Sequence, residues 1–285
     1  MASWSPRPAV RAAIGVHIAA PGFVLAWPTG WAYALAAVIG CHALLALFGL
    51  WPRSQVLGRT LVRLPPGERD GRAVLTFDDG PDPETTPALL DLLDQHGAKA
   101  SFFLIGEKAR AYPGLVRDIA RRGHSIENHT MRHPILFACL GPRRMRRELA
   151  EAQAVLTSLA GHPPRFVRAP IGLRSPLLDP VLSGLGLQHV SWARRGFDTR
   201  CDDPARILRR LLRGLRPGDV LMLHDGCSAR TPAGKPVVLE VVPALLATLA
   251  KGGIQAVPLA LPTPAAPAAA AILRGSPASI AHAST

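Results

Sequence analysis

"AVLTFDDGPDPETTPALLDLLDQHGAKASFFLIG", Ala73 to Gly106, lines up an apolar run, a polar break, an amphipathic stretch and a second apolar run. "AVLTF" at 73–77 is short, apolar and bounded by turn residues, so it reads as a buried strand. In "TPALLDLLDQHG", 86–97, Pro87 near the start and Gly97 at the end bound a helix. "KASFFLIG" at 99–106 is the next strand. The same alternation recurs downstream. Strands are expected near 125–128 and at 166–168, 188–192, 219–223 and 254–259; helices are expected at 142–160, 176–185, 203–214 and 237–251. About seven β-then-α units predict a parallel sheet, and that number fits a barrel or barrel-like sheet, with an open doubly wound sheet as the alternative.

The flanks differ from this core. "WAYALAAVIGCHALLALFGLW", Trp31 to Trp51, carries no charged residue and is long enough to cross a bilayer. Trp31, Tyr33 and Trp51 are placed as interfacial anchors, with Arg53 just beyond. A second, poorer span runs from Ala12 to Trp27, weakened by His17 and Pro21. His42 is a polar oddity inside the better span, explained by packing against a neighbouring helix. The apolar region is too long for a cleavable signal peptide, and "WPRSQVLG" lacks the small-residue cleavage pattern. The expected organisation is therefore a membrane anchor of one or two helices at 1–53, a linker at 54–70 and the main domain at 71–261. The Pro/Ala/Ser-rich stretch 262–285 is expected to be a disordered tail.

Net charge is +13, and the excess is mostly arginine. That suits an anionic partner such as a membrane lipid surface or a lipid-phosphate substrate. No helix-turn-helix, zinc-finger or RNA-binding signature accompanies it, and aromatic content is only 5%, so nucleic acid is not the expected partner. Nothing in the sequence points to a protein partner. The four cysteines, Cys41, Cys139, Cys201 and Cys227, form no C-x-x-C pair. They are neither a disulfide framework nor a zinc-thiolate site, and they lean towards a reducing compartment.

Asp78 and Asp79 stand together at the carboxyl end of the first strand. A simple turn would explain the Asp-Gly and Gly-Pro dipeptides. Other strand ends are equally polar, however. "ENHTMRH" brings His129 and His133, "RAPIG" brings Arg168, "SWARRGFDT" brings Asp198 and "LMLHDG" brings His224. In parallel barrels chemistry gathers at that rim. His129 and His133 are four apart, so a helical turn would project both imidazoles from one face. Two histidines and one carboxylate make a metal triad with open positions. One aspartate would ligate the cation, the other would take a proton, and the cation would make the paired charges tolerable.

"TFDDGP" (76–81), "HTMRH" (129–133), "RAPIG" (168–172), the Trp192-to-Asp198 segment and "LMLHDG" (221–226) come in the order of the five motifs of the polysaccharide deacetylases. Over residues 71–261 the chain resembles that carbohydrate esterase family, with its nodulation-type deacetylase domain. The resemblance implies a distorted (β/α)7 barrel and a metal-dependent hydrolase that removes N-acetyl groups from amino sugars. It implies Asp78 as general base and Asp79, His129 and His133 as ligands of a divalent metal, Zn²⁺ first and Co²⁺ or Ni²⁺ as further options. It implies Arg168 as the group orienting Asp78, Asp198 as the partner of His224, and His224 as general acid. The Ile171 backbone N–H would hold the oxyanion, and Leu221 or Leu223 would line the pocket for the acetyl methyl. Two positions depart from the family. Ile171 stands where an aromatic residue is usual, and Thr199 where Trp is frequent. Both losses remove flat surfaces suited to stacking on a polymer.

Two rivals are a deformylase or other small-molecule amide hydrolase on the same fold, and a non-catalytic, membrane-anchored carbohydrate-binding relic. Arg7 and Arg11 precede the first apolar stretch, and Arg53, Arg59 and Arg63 follow the second. With two spans the positive-inside rule puts the main domain on the cytoplasmic face of the inner membrane. With one span, the domain lies outside.

Overall fold

The computed structural model describes residues 4–259, and the expected disordered tail at 262–285 lies outside the described residues. Two helices open the chain, α1 (Pro8–Ala26) and α2 (Trp31–Leu50), joined by a tight turn at Pro28–Gly30. The barrel region follows in the order β1 (Arg72–Gly80), α3 (Thr85–Gln95), β2 (Ser101–Leu104), α4 (Gly106–Ala111), α5 (Pro113–Arg121), β3 (Ser125–Asn128), α6 (Pro142–Ala160) and β4 (Phe166–Val167). It ends with α7 (Leu178–Leu185), β5 (Gln188–His189), β6 (Arg194–Arg195), α8 (Pro204–Leu212), β7 (Val220–His224), α9 (Val238–Lys251) and β8 (Gln255–Val257).

The ladder runs β5-β4-β3-β2-β1-β7-β6, with β8 paired to the first residues of β1, and every pairing between these strands is parallel. The expected parallel sheet is present, as a half-barrel rather than an open doubly wound sheet. β5 and β6 do not pair. Residues 61–64 fill that interval. The Leu61 N–H donates to His189 O (2.9 Å), the Ser191 N–H to Leu61 O (2.8 Å) and the Val220 N–H to Val62 O (3.1 Å). The stretch 54–70, expected as a linker, is thus part of the barrel wall, and Leu57 and Leu64 are buried in it. Its apolar residues are too sparse to announce a strand, but backbone groups facing an open ladder need partners.

Pleat alternation sorts the central strands. Ala73, Leu75 and Phe77 of β1, with Leu221 and Leu223 of β7, pack outward under α3, α8 and α9 in the main core. Val74 and Val220 face inward with Phe103 and Phe166. The helices end as their sequences direct. Asp82 Oδ1 accepts the Glu84 and Thr85 N–H groups (3.0 and 2.8 Å) ahead of α3, and Asp203 caps α8 through the Arg206 N–H (3.0 Å). Gly161 stops α6 in the left-handed region, φ 78°.

α1 and α2 pack as an antiparallel pair, both long and apolar enough to cross a membrane. His42 is not alone: its Nε2 lies 3.1 Å from His17 Nε2 across the pair. The base of the hairpin rests on loops of the barrel. The Arg174 N–H donates to Gly49 O (3.2 Å) and Arg53 Nη2 to Ala193 O (2.7 Å).

Candidate active site

Successive residues of a strand point to opposite faces, so Asp78 and Asp79 could not both enter one pocket from a regular β1. The pleat breaks between them. The β1–β2 register shifts between Asp78 and Gly80, and Asp79 takes φ 69°. Both carboxylates therefore reach a cavity of about 290 Å³ at the carboxyl end of the sheet. The opposite rim closes tightly on this turn. A Cβ at Gly226 would stand 1.8 Å from Asp79 O, so only glycine fits there.

The histidines arrive by a different route from the expected helical turn. Residues 129–133 form an irregular loop, with Thr130 at φ 67° and His133 at φ 52°. Asn128 Oδ1 accepts the Thr130 N–H (2.9 Å), and Thr130 Oγ1 accepts the His133 N–H (3.0 Å). Side-chain acceptors thus fix a path that residues with a Cβ seldom adopt. Asp79, His133, Ile171 and Phe197, four of the five described non-glycine residues with positive φ, line the cavity, and Thr130 adjoins it. Backbone strain is concentrated at this one place.

Three of the predicted residues converge on one point. Asp79 Oδ1 lies 3.2 Å from His129 Nε2 and 3.2 Å from His133 Nε2. His129 Nδ1 is 2.9 Å from Arg168 O, so that nitrogen carries the proton and Nε2 presents its lone pair. Asp79 Oδ1 is buried with no hydrogen-bond partner. Buried acceptors so close to one another call for a cation. Their spacing is near the roughly 3.3 Å expected between donors that share a tetrahedral ion with bonds of about 2.0–2.1 Å. The donor set therefore fits a divalent metal.

Asp78 sits beside this triad, 3% exposed. Arg168, fully buried, donates from Nη1 to Asp78 Oδ1 (2.5 Å) and to Thr76 Oγ1 (2.9 Å), and from Nη2 to Ser191 O (3.1 Å). Its guanidinium carbon lies 4.1 Å from the centre of the Phe103 ring. On the other side, Asp198 grips His224 twice: Oδ2 accepts the His224 N–H (2.7 Å), and Oδ1 faces His224 Nδ1 (3.0 Å). Burial alone would lower the His224 pKa, but the Asp198 hydrogen bond and charge, with the Asp78 and Asp79 charges, raise it above the ordinary histidine value.

Ile171 lines the cavity, but Leu221 and Leu223 do not. Both are fully buried on the outward face of β7. The alternation places Met222 in the lining between them, a one-residue slip in the reading of this strand. Four further residues shape the site, of which only Trp192 stood out in a motif of the sequence. Phe197, half exposed, and Trp192 restore aromatic surface to a site that lacks it at Ile171 and Thr199. The Cys227 thiol contacts Asp79 Oδ2 at 2.7 Å, three residues beyond His224 in the chain. Lys108, on the unforeseen helix α4, donates to Asp79 O (2.7 Å) and pins the aspartate turn.

Comparison with known proteins agrees with this geometry. The sequence profile described as polysaccharide deacetylase matches residues 67–190, which include Asp78, Asp79, both histidines and Arg168 but stop short of Asp198 and His224. A chitooligosaccharide deacetylase of Sinorhizobium fredii is 40% identical over 161 residues, 54% of this chain and 71% of that protein. A peptidoglycan-N-acetylglucosamine deacetylase of Bacillus cereus is 36% identical over 174 residues; the match covers 60% of this chain and 62%, less than two thirds, of that protein. The solved structure of a peptidoglycan N-acetylglucosamine deacetylase in complex with 4-naphthalen-1-yl-N-oxidanyl-benzamide superposes with a TM-score of 0.60 at 32% identity, covering 67% of this chain and 87% of the other. With this half-barrel, and with 40% identity across 71% of a deacetylase's length, this chain belongs to the polysaccharide deacetylase family.

Proposed function

We propose that the protein is a membrane-anchored, metal-dependent N-deacetylase of an amino sugar, with residues 1–53 as anchor and the barrel as catalytic domain. The observation that carries the reading is the convergence of Asp79, His129 and His133 between two separate proton-handling pairs, Asp78–Arg168 and Asp198–His224. A relic would have no use for both pairs. The relatives named for acting on chitooligosaccharide and peptidoglycan point to an N-acetylated glucosamine unit as the group attacked.

Asp79, His129 and His133 would hold the ion, Zn²⁺ or a similar first-row cation. When bound it polarises the acetamide carbonyl and acidifies the attacking water. Arg168 fixes one oxygen of Asp78 and leaves the other to take the proton of that water. His224, kept protonated by Asp198, gives its proton to the departing amine. The Ile171 N–H is the proposed donor to the oxyanion. Met222 closes the end of the cavity where the acetyl methyl would sit. The two-helix anchor and its arginine flanks favour the cytoplasmic face, and with it a precursor sugar rather than finished wall polymer.

The test uses full-length protein in detergent, stripped by a chelator and reloaded with Zn²⁺, Co²⁺ or Ni²⁺. Acetate release from N-acetylglucosamine oligomers should vanish on stripping and return with metal. Formate release from N-formyl analogues at a higher rate would give the site to a deformylase instead. Undiminished turnover in stripped protein would sink the metal triad.

A further inference from the structure

The catalytic cavity continues into a second groove that the reaction does not use. This groove, about 400 Å³, shares Trp192, Arg195 and Phe197 with the cavity and runs to Trp51, Pro52 and Arg53 at the end of α2. Five arginines line it, Arg53, Arg194, Arg195, Arg210 and Arg213, and no acidic residue does. Arg194 is satisfied by Asp219 (3.4 Å). The other four have no carboxylate within 4.0 Å among the described residues. Arg195 is the telling one. Its guanidinium carbon lies 5.3 Å from the Trp192 ring centre and 4.9 Å from that of Phe197, and its Nε is buried with no acceptor. Two aromatic rings hold this cation at the mouth of the catalytic cavity.

Clustered like charges destabilise a fold unless a counter-charge offsets them. Planar guanidinium forks suit phosphate oxygens. Trp51, half exposed at the end of α2, marks the level at which lipid head groups lie if the hairpin spans the bilayer. We infer that this groove binds the phosphate or diphosphate that joins an amino sugar to a membrane lipid, presenting the sugar's acetamide to Asp78 and the metal ligands. The inference rests on the deacetylase reading for the sugar and on the hairpin for the lipid. The groove itself can be read without chemistry.

The experiment measures equilibrium binding of a long-chain alkyl phosphate to full-length protein in neutral detergent, against the matching alkyl alcohol and against uridine diphosphate. The alkyl phosphate should bind with strong salt dependence and the alcohol should not. Arg195→Gln and the Arg53→Gln, Arg213→Gln pair should each weaken phosphate binding about tenfold or more, with Arg195→Lys recovering part of it. A parallel assay compares acetate release from an N-acetylglucosaminyl alkyl phosphate and the neutral alkyl glycoside of the same sugar. The phosphate-linked substrate should be favoured, and the Arg53→Gln, Arg213→Gln pair, which lies outside the catalytic cavity, should raise its KM while leaving the neutral glycoside's kinetics within about twofold. Phosphate binding indifferent to the arginines would overturn the groove. Uridine diphosphate binding as tightly as the alkyl phosphate would overturn the lipid and assign the groove to a nucleotide-linked sugar. Arginine-dependent phosphate binding without acetate release from any substrate would count against the deacetylase reading and leave the groove standing.

Discussion

At the scale of single residues, the two adjacent aspartates have separable duties because one turn of backbone aims them at different partners. Asp79 Oδ1 faces two imidazole nitrogens, while Asp78 faces a guanidinium. Asp78→Asn should keep its metal and lose turnover by about 10²-fold or more, because only the proton acceptor is removed. Asp79→Asn should lose metal instead. Elemental analysis of each purified variant beside its rate decides this, and an empty Asp78→Asn with a loaded Asp79→Asn would reverse the assignment. Glu127 offers a separate test of stability. It is buried two residues before His129, where its carboxylate accepts the Arg165 and Phe166 N–H groups (3.0 and 2.8 Å). Burial pushes its pKa up from 4.5 to about 7, against those hydrogen bonds. The folded state therefore binds this proton more tightly than the unfolded chain. The contribution is present in full below pH 4.5 and is lost as pH rises through about 7, on the order of 3 kcal/mol at most. Glu127→Gln, which keeps an acceptor but cannot titrate, should flatten the fall in melting temperature between pH 5 and pH 8. Equal slopes in the two proteins would show that the carboxyl does not carry this linkage.

At the scale of elements, β7 shows how far pattern reading reaches. "VLML", ahead of His224, is apolar throughout, as strands buried on both faces are, so the sequence marks the strand but carries no alternation within that run to say which side chains look inward. The ladder partner supplies it. Asp78 pairs with His224, and counting back by two puts Met222 inside and Leu221 and Leu223 outside. Met222→Ala should therefore enlarge the acyl pocket, raising the rate on N-propionyl relative to N-acetyl substrates with little loss of stability. Leu221→Ala should do the opposite, costing about 2–5 kcal/mol of stability and leaving acyl preference alone. Acyl-chain preference and melting temperature, measured on both variants, distinguish the faces. Residues 61–64 and β6 were illegible for a related reason: each pairs over only two or three residues, too short for any period to show. Asp78, Asp79, His129, His133, Arg168, Asp198 and His224 were legible because polar groups at strand ends stand out against apolar runs. Their approach was not. The left-handed Asp79 is held by a distant partner, Lys108, while Thr130 and His133 are held by side-chain acceptors two and three residues back in an irregular loop that shows no helix or strand period.

At the scale of the whole molecule, the hairpin and the barrel meet at one rim, which bears on the proposed membrane anchor. α1 begins just after Arg7 and α2 ends just before Trp51 and Arg53, so both ends of the hairpin leave on the barrel's side. The turn between them, Pro28–Gly30, carries no charge. Moving the barrel across a membrane would take Arg7, Arg11, Arg53, Arg59 and Arg63 with it, against the bias that keeps arginine near span ends in the cytoplasm. The His17–His42 contact fits two helices that span together, each shielding the other's polar ring from lipid. A reporter that folds only in the periplasm, fused after Leu261, should be silent, and a cytoplasmic reporter at the same junction should be active. Placing the periplasmic reporter in the 28–30 turn should reverse that pattern. A strong periplasmic signal after Leu261 would mean that a single helix spans, put the barrel outside, and transfer the substrate from a lipid-linked precursor to exported or wall polysaccharide.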